Sequence, residues 1–432
     1  MQSVVFLAFA LGVMLSPDSL ILLGNTLGSE GTAVIISLLI AGGLHALTAL
    51  TYGKVGLYSP ASDGEIRVLR TALGPLPATV LPLCARVVYT VCAATGILAI
   101  AGYVFNEVFV YWFPNLGFSF CLLGALLGLN VVGPRAAALA QCGFVSLALG
   151  GLLCLSAVAL RGLGQPPLVP EATVSASSVT VRGLFMVLLL FIGFELALYT
   201  TPPAARTMER AGRLLTLSII LAGLVWCVWS LVSVRFVPAA RLAESTVPHM
   251  LAARAIFGHS GRVIMGMVVL AGTCATVNAL LGAGARMLAG MAAHGLLPAC
   301  LGAFQARPAL LLLALGPAMM MAMGMAGEPE TKIYARAGAL FWLLHYAAIH
   351  LAVLVGPRRR TRQAVWTWGP TPVIMPLLSL AVLSLSILGL VWSDHEALPL
   401  VQFMGIVSAS MGCLSLTWLG WRHLWLSWRV PG

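Results

Sequence analysis

Charge is scarce in this chain. Asp, Glu, Lys and Arg together make up 9% of its 432 residues, against 60% hydrophobic residues and a mean hydropathy of +0.99. Soluble domains carry about 25% charged residues, so a water-solvated globule is excluded and lipid is the expected solvent. Cysteine chemistry is missing too. The nine cysteines, among them Cys84, Cys92, Cys142, Cys227 and Cys413, lie in apolar segments without a CxxC or a Cys/His cluster. They read as buried packing residues, and neither a metal site nor a disulfide framework is expected. No HExxH pair and no nucleophile elbow occurs, so an enzyme is not expected and no cofactor is implied.

The formal net charge of +11 does not indicate a nucleic-acid partner, because the basic residues stand singly or in short groups between apolar runs. Their placement is topological. Windows of about twenty apolar residues, the length needed to cross a bilayer, fall at 2–24, 32–53, 80–110, 116–133, 136–160, 183–202, 213–236, 262–291, 308–326, 335–356, 372–393 and 398–421. The fold class is therefore an all-α integral membrane protein with about twelve transmembrane helices. The first run, MQSVVFLAFALGVMLSP, lacks the basic leader of a signal peptide and is expected to be a retained span.

With the N-terminus placed in the cytoplasm, the inward connections hold Arg67, Arg70, Arg135, Arg206, Arg210, Arg213, Arg307 and the run Arg358, Arg359, Arg360 and Arg362. The outward connections hold fewer basic residues and most of the acids, including Glu30, Glu107, Glu171, Glu244, Glu328, Glu330, Asp394 and Glu396. This asymmetry predicts a multi-pass protein of the cell inner (plasma) membrane with both termini cytoplasmic. Trp418, Trp421, Trp425 and Trp428 at the end of the last span fit an aromatic belt. The outer connection 237–261 is either a short helix over the outer mouth or an amphipathic loop.

Two spans are interrupted in the middle. Span 1 carries Ser16, Pro17, Asp18 and Ser19 inside VMLSPDSLILLG, and Pro17 removes a backbone donor and clashes with the preceding turn. Span 6 carries Gly193 and Glu195 inside LLLFIGFELALYT, closed by Thr200, Thr201, Pro202 and Pro203. A carboxylate at mid-membrane costs at least ~2.5 kcal/mol, so Asp18 and Glu195 should face a polar cavity or a partner. Broken helices at corresponding positions of two halves are the mark of an inverted-repeat transporter with its site at the midplane.

The stretches SPDSLILLGNTLGSEG and ALTYGKVGLYSPASDGEIRVLRTALGP keep Tyr52, Pro60 and Gly64 in a recognisable frame. FIGFE, from Phe191 to Glu195, and NALLGAGARMLAGMAAHGLLPACL, with Arg286, His294, Gly295 and Pro298, follow in order. Together, over roughly residues 10–360, these segments resemble the amino acid–polyamine–organocation (APC) permeases. The resemblance implies a 5+5 inverted-repeat fold with two additional C-terminal helices, helices 1 and 6 discontinuous. It divides the chain into 1–160, 181–356 and 372–421 within a single transport domain. It also implies secondary transport of amino acids or related amines by alternating access. The chain departs from the pattern where the family offers glycine amides in span 1 and has Ser16, Pro17 and Asp18 instead. Span 5 has no lysine, and TTPPAARTMERAGR follows span 6.

Candidate substrate-binding residues are Ser16, Pro17, Asp18, Ser19, Phe191, Ile192, Gly193, Phe194 and Asn278. Candidate coupling or gating residues are Asp18, Glu195, Thr273 and Thr276, with H+ or Na+ as the coupling ion. Asp18 reads as a counter-charge for an amine or an ion site, or as a helix-capping residue; Glu195 as a protonatable switch, or a structural hydrogen-bond acceptor. Phe191 and Phe194 wall a substrate or pack in the core. Thr273, Thr276 and Asn278 line a cavity or bond between helices. Arg86 sits close enough to the interface to snorkel, with a gate salt bridge as the alternative, and His45, His345 and His350 read as packed histidines. The expected partners are a small-molecule substrate and the lipid bilayer, and a transporter-like sensor or scaffold without transport is the alternative.

Overall fold

The computed structural model describes residues 2–58, 64–161, 180–199, 208–355 and 397–429, with Leu377 and Ser384. In lipid a backbone amide has no water partner and must bond within its own segment, so the apolar windows become helices. Among the described residues no strand occurs, and ten helices are long and apolar enough to cross a membrane, with Gln2–Met14 a shorter apolar one. The chain is a multi-pass membrane protein. The expected eleventh span, the run from Arg358 to Arg362, Pro60 and the Thr200–Pro203 close of span 6 lie outside the described residues, save Leu377 and Ser384.

The first crossing is built of two helices, α1 (Gln2–Met14) and α2 (Pro17–Glu30). Ser16 between them is extended (φ −71°, ψ 154°), and its hydroxyl accepts the Ser19 amide at 3.1 Å. Pro17 occupies the first helical position, where its missing N–H costs nothing, and Asp18 lies in the first turn at the positive end of the α2 dipole. The interruption is thus a capped restart. A 3-10 turn, Gly31–Ala33, leads directly into α3 (Val34–Tyr58), so the first crossing runs to Glu30, beyond the apolar window that ended at residue 24.

The third crossing follows a short connecting helix, α4 (Gly64–Leu73). It begins with α5 (Pro75–Pro82), widens into a π-helical turn over Leu83–Val88 and continues as α6 (Tyr89–Val108). Pro82 cannot donate to the preceding turn, and the wide turn next to it carries Arg86. The next two crossings are α7 (Asn115–Val132) and α8 (Pro134–Arg161). The sixth starts as α9 (Val181–Leu188), tightens over Leu189–Phe191, becomes extended at Ile192 (ψ 154°) and resumes as a 3-10 segment, Phe194–Tyr199. Gly193 turns the chain with φ +91°, a conformation that side-chain-bearing residues rarely adopt.

Then come α10 (Met208–Phe236), α11 (Ala239–Glu244), α12 (Pro248–Ala293), α13 (Ala303–Ala322), α14 (Pro329–Val355) and α15 (Ala397–Arg429). α12 is bent where Phe257 and Gly258 leave the helical region. The outer connection 237–261 is therefore helical, formed by α11 and the first turns of α12. α11 lies on α2 so closely that a Cβ at Gly28 would stand 2.2 Å from the Ala243 nitrogen. α3 packs along α10, α8 along α12 and α6 along α14, with α1 inserted among α8, α10 and α12. Leu39, Leu139, Leu224, Leu312 and Leu414 remain exposed around the outside, as a lipid-facing surface requires.

A Cβ at Gly193 would lie 2.6 Å from a Val13 methyl group, so the two interrupted crossings meet at this point. Gly193→Ala is expected to lower unfolding stability by at least about 1–2 kcal/mol from the left-handed backbone alone. Val13→Ala in the same chain should restore only the part due to overlap. Thermal unfolding of the purified variants measures both effects.

Candidate functional site

The extended residue Ile192 and the turn at Gly193 divide the sixth crossing, and two different polar environments lie on either side. On the side of α4, Glu195 in the 3-10 segment is fully buried. Arg86 from the π turn sits between Glu195 and Glu65 of α4, at 3.0 Å and 2.7 Å. The Arg86 guanidinium is 1% exposed, so these are ion pairs away from water. Trp342 of α14 donates its indole N–H to Glu195 at 2.7 Å, and Tyr346 donates its hydroxyl to the other carboxylate oxygen. Tyr199 donates to Glu65, and the guanidinium carbon lies 5.3 and 5.4 Å from the ring centres of Tyr199 and Trp342. His345 places its Nε2 3.6 Å from Glu65.

Arginine stays charged in any protein environment, so its burial demands carboxylates with good geometry and partners for their remaining lone pairs. The cluster supplies both. Burial alone would push the Glu65 carboxyl up, but the Arg86 guanidinium, with His345 and the Tyr199 hydroxyl, overrides this and holds it below the usual carboxylate range. The Tyr346 hydroxyl also accepts the Gly193 amide at 3.1 Å, which ties the turn of the sixth crossing to the cluster.

On the opposite side of Ile192 lies a cavity of about 500 Å³. Asp18, Ser19 and Asn25 of α2 line it, with Tyr89 and Gly96 of α6, Ser119 of α7, Leu189 and Ile192 of the sixth crossing, and Thr246 from the turn before α12. α14 adds Lys332 and Arg336 near its start, and Glu328 just before it also lines the cavity. Lys332 and Arg336 are four residues apart and so share one helix face. Asp18 lies within electrostatic reach of Arg336 and Lys332, and of Tyr89.

Of the residues singled out in the sequence, Asp18, Ser19 and Ile192 meet at this cavity. Ser16 caps α2, and Pro17 is buried at its first position. Phe191 is buried against the His45 ring, and a Cβ at Gly42 or Gly223 would touch it. Phe194 is buried among Tyr52, Tyr346 and His45. Asn278 joins three crossings, bonding Asn130, Gln141 and the Ala137 carbonyl. Thr276 donates at 2.8 Å to the Gly12 carbonyl, one of those left over where α1 ends, and Thr273 bonds back to Val269 in its own helix. Asn278, Thr273 and Thr276 thus act between or within helices. Of the histidines, His45 bonds the Ala41 carbonyl and His350 bonds Thr48.

Glu65, Lys332 and Arg336 were not candidates, and tertiary packing brings them, with Arg86, to the two sites. Arg86 carried a signal, as one of two basic residues, with Arg286, well inside an apolar window. The carbonyls of His294 and Gly295 accept Arg70 and Arg422 at 3.2 and 3.0 Å, closing the same face as the cluster.

Residues 2–410 match the family model described as amino acid permease. A crystal structure of an Eremococcus coleocola manganese transporter, in complex with an aromatic bis-isothiourea substituted compound, superposes with a TM-score of 0.57 at 12% identity. The superposition covers 98% of this chain and 94% of that one, and at such identity the likeness is one of fold. A comparison with curated proteins finds no match.

Removing Arg86 would leave two carboxylates buried without a counter-charge. Arg86→Ala is expected to cost about 3–5 kcal/mol, and adding Glu65→Gln should return part of it. Chemical unfolding of the single and double variants in detergent measures the difference.

Proposed function

We propose that this chain, which belongs to the amino acid permease family, is a secondary transporter of amino acids that works by alternating access across the cell membrane. The observation that carries the reading is the charge pattern of the cavity, where Asp18 on one wall is opposed by Lys332 and Arg336 on another. A free α-amino acid is a zwitterion. Its ammonium matches Asp18 and its carboxylate matches the two cationic side chains, each a charge-assisted contact of about 1.5–3 kcal/mol. Side chains then do at this site what glycine amides do in relatives with a Gly-rich first break, and Pro17 and Asp18 there cease to be anomalous. A divalent metal, the cargo in the name of the Eremococcus protein, would be repelled by Lys332 and Arg336 beside Asp18.

With both termini cytoplasmic, the Glu65–Arg86–Glu195 cluster closes the cytoplasmic side and the cavity opens outward, past Thr246 and Glu328. Alternation then requires the ion pairs to part while the outer walls close over the substrate. Glu195 is the group through which a coupling proton would act on that step. The non-transporting sensor is the competing reading.

Uptake or counterflow of a labelled amino acid panel into liposomes holding the purified protein tests the proposal. At least one amino acid should accumulate, and Asp18→Asn should lower uptake about tenfold or more, the loss of one charge-assisted contact. Arg336→Gln should weaken amino acids while leaving their decarboxylated amines unaffected. Folded protein that neither binds nor moves any amino acid would sink the reading and leave the sensor.

A further inference from the structure

The charged groups occupy one part of the cavity, and the rest has a different character. α6 crosses it with Tyr89, Cys92, Gly96, Ile100 and Tyr103 on one face, and Ile21 and Leu22 of α2 stand among the other lining residues. Two of the polar side chains here are already engaged. Ser119 donates to the Leu98 and Asn115 carbonyls at 2.8 and 3.0 Å, and Asn25, with its amide turned to satisfy its neighbours, donates to the Leu242 and Ser245 carbonyls at 2.9 and 3.0 Å. A polar substituent entering beside Ile21, Leu22 and Ile100 would lose water against apolar side chains, which costs about 1–3 kcal/mol or more where no partner replaces it. An apolar one would gain from leaving water.

Gly96 stands in the middle of the α6 face. A Cβ built on it meets no atom within 4 Å, although the residue lines the cavity. The space above it is therefore cavity, kept open by the missing side chain. Tyr89, which lines the cavity together with Asp18, is seven residues away along the helix, or roughly 10 Å of rise. A substrate whose ammonium rests at Asp18 can extend a long side chain toward Gly96.

We propose that the substrate is a neutral amino acid with a bulky apolar side chain, aromatic or long aliphatic, and that Gly96 sets the side-chain size the cavity accepts. This deepens the transport reading and rests on it. Gly96 is a specificity-determining position: filling the space above it excludes large substrates and leaves the charged end of the cavity intact.

The test is uptake of labelled phenylalanine and alanine into liposomes by the wild type, Gly96→Ala, Gly96→Leu and Gly124→Leu. Gly124 is an exposed glycine of α7, also with open space around it, and controls for placing leucine in a membrane helix. The wild type should prefer phenylalanine. Gly96→Leu should lose phenylalanine uptake about tenfold or more, the range over which apolar pockets discriminate, while alanine uptake stays within about threefold. Gly96→Ala should fall between, and Gly124→Leu should match the wild type. Parallel loss of both substrates in a folded Gly96→Leu protein, or no change in either, overturns the role of Gly96. A wild type that carries small or charged amino acids and refuses phenylalanine overturns the substrate class and leaves amino acid transport standing. A folded wild type that carries no amino acid overturns both.

Discussion

A guanidinium buried away from water is the constraint around which this structure is arranged. Arg86 cannot shed its charge, so the chain must bring carboxylates to it, and it does so from α4 and from the second half of the sixth crossing. Those carboxylates in turn need donors, which come from Trp342 and Tyr346 of α14 and from Tyr199. A single buried charge thereby fixes the relative positions of the third, sixth and tenth crossings and the helix between the second and third. The π turn after Pro82 places Arg86 among them, and Tyr346 extends the network to the Gly193 amide.

The two interruptions are stabilised in different ways. In the first crossing much of the support is local: Ser16 caps α2, Pro17 needs no acceptor, and Thr276 from α12 bonds the Gly12 carbonyl left over at the end of α1. In the sixth the turn depends on its surroundings, through the left-handed Gly193, its contact with Val13 and its bond to Tyr346. A segment held by external partners can change conformation when they move, whereas a self-capped one moves as a unit. The proposed alternation of access uses both properties, with α2 carrying Asp18 as a fixed binding element and the sixth crossing responding to the state of the ion pairs.

The fold alone does not say what is carried. A backbone arrangement shared with a manganese transporter at 12% identity leaves the cavity chemistry to side chains. Here those side chains are one acid on α2 facing two bases on α14, with an apolar wall running along α6 past Gly96. Opposed charges at one end and apolar surface along the other are the features on which the proposed amino acid substrate rests.

By itself the sequence determined what depends on local chemistry and on period. Lack of charge and the spacing of apolar windows specified a membrane-spanning helical protein, because an unpaired backbone group in lipid is too costly for any other solution. Pro17 and Gly193 marked the interruptions, since a missing N–H and a missing Cβ act within a few residues of themselves. The same windows placed Arg86 near the interface and Lys332 and Arg336 in an ordinary outer connection, and they grouped Phe191, Phe194 and Asn278 with the site. Tertiary structure decided between the readings left open: it buried Arg86, turned the two phenylalanines into the core, used Asn278 to join crossings and brought α14 opposite Asp18. Pairing between residues more than a hundred positions apart, such as Arg86 with Glu195, depends on which helix faces meet, and no local pattern encodes that.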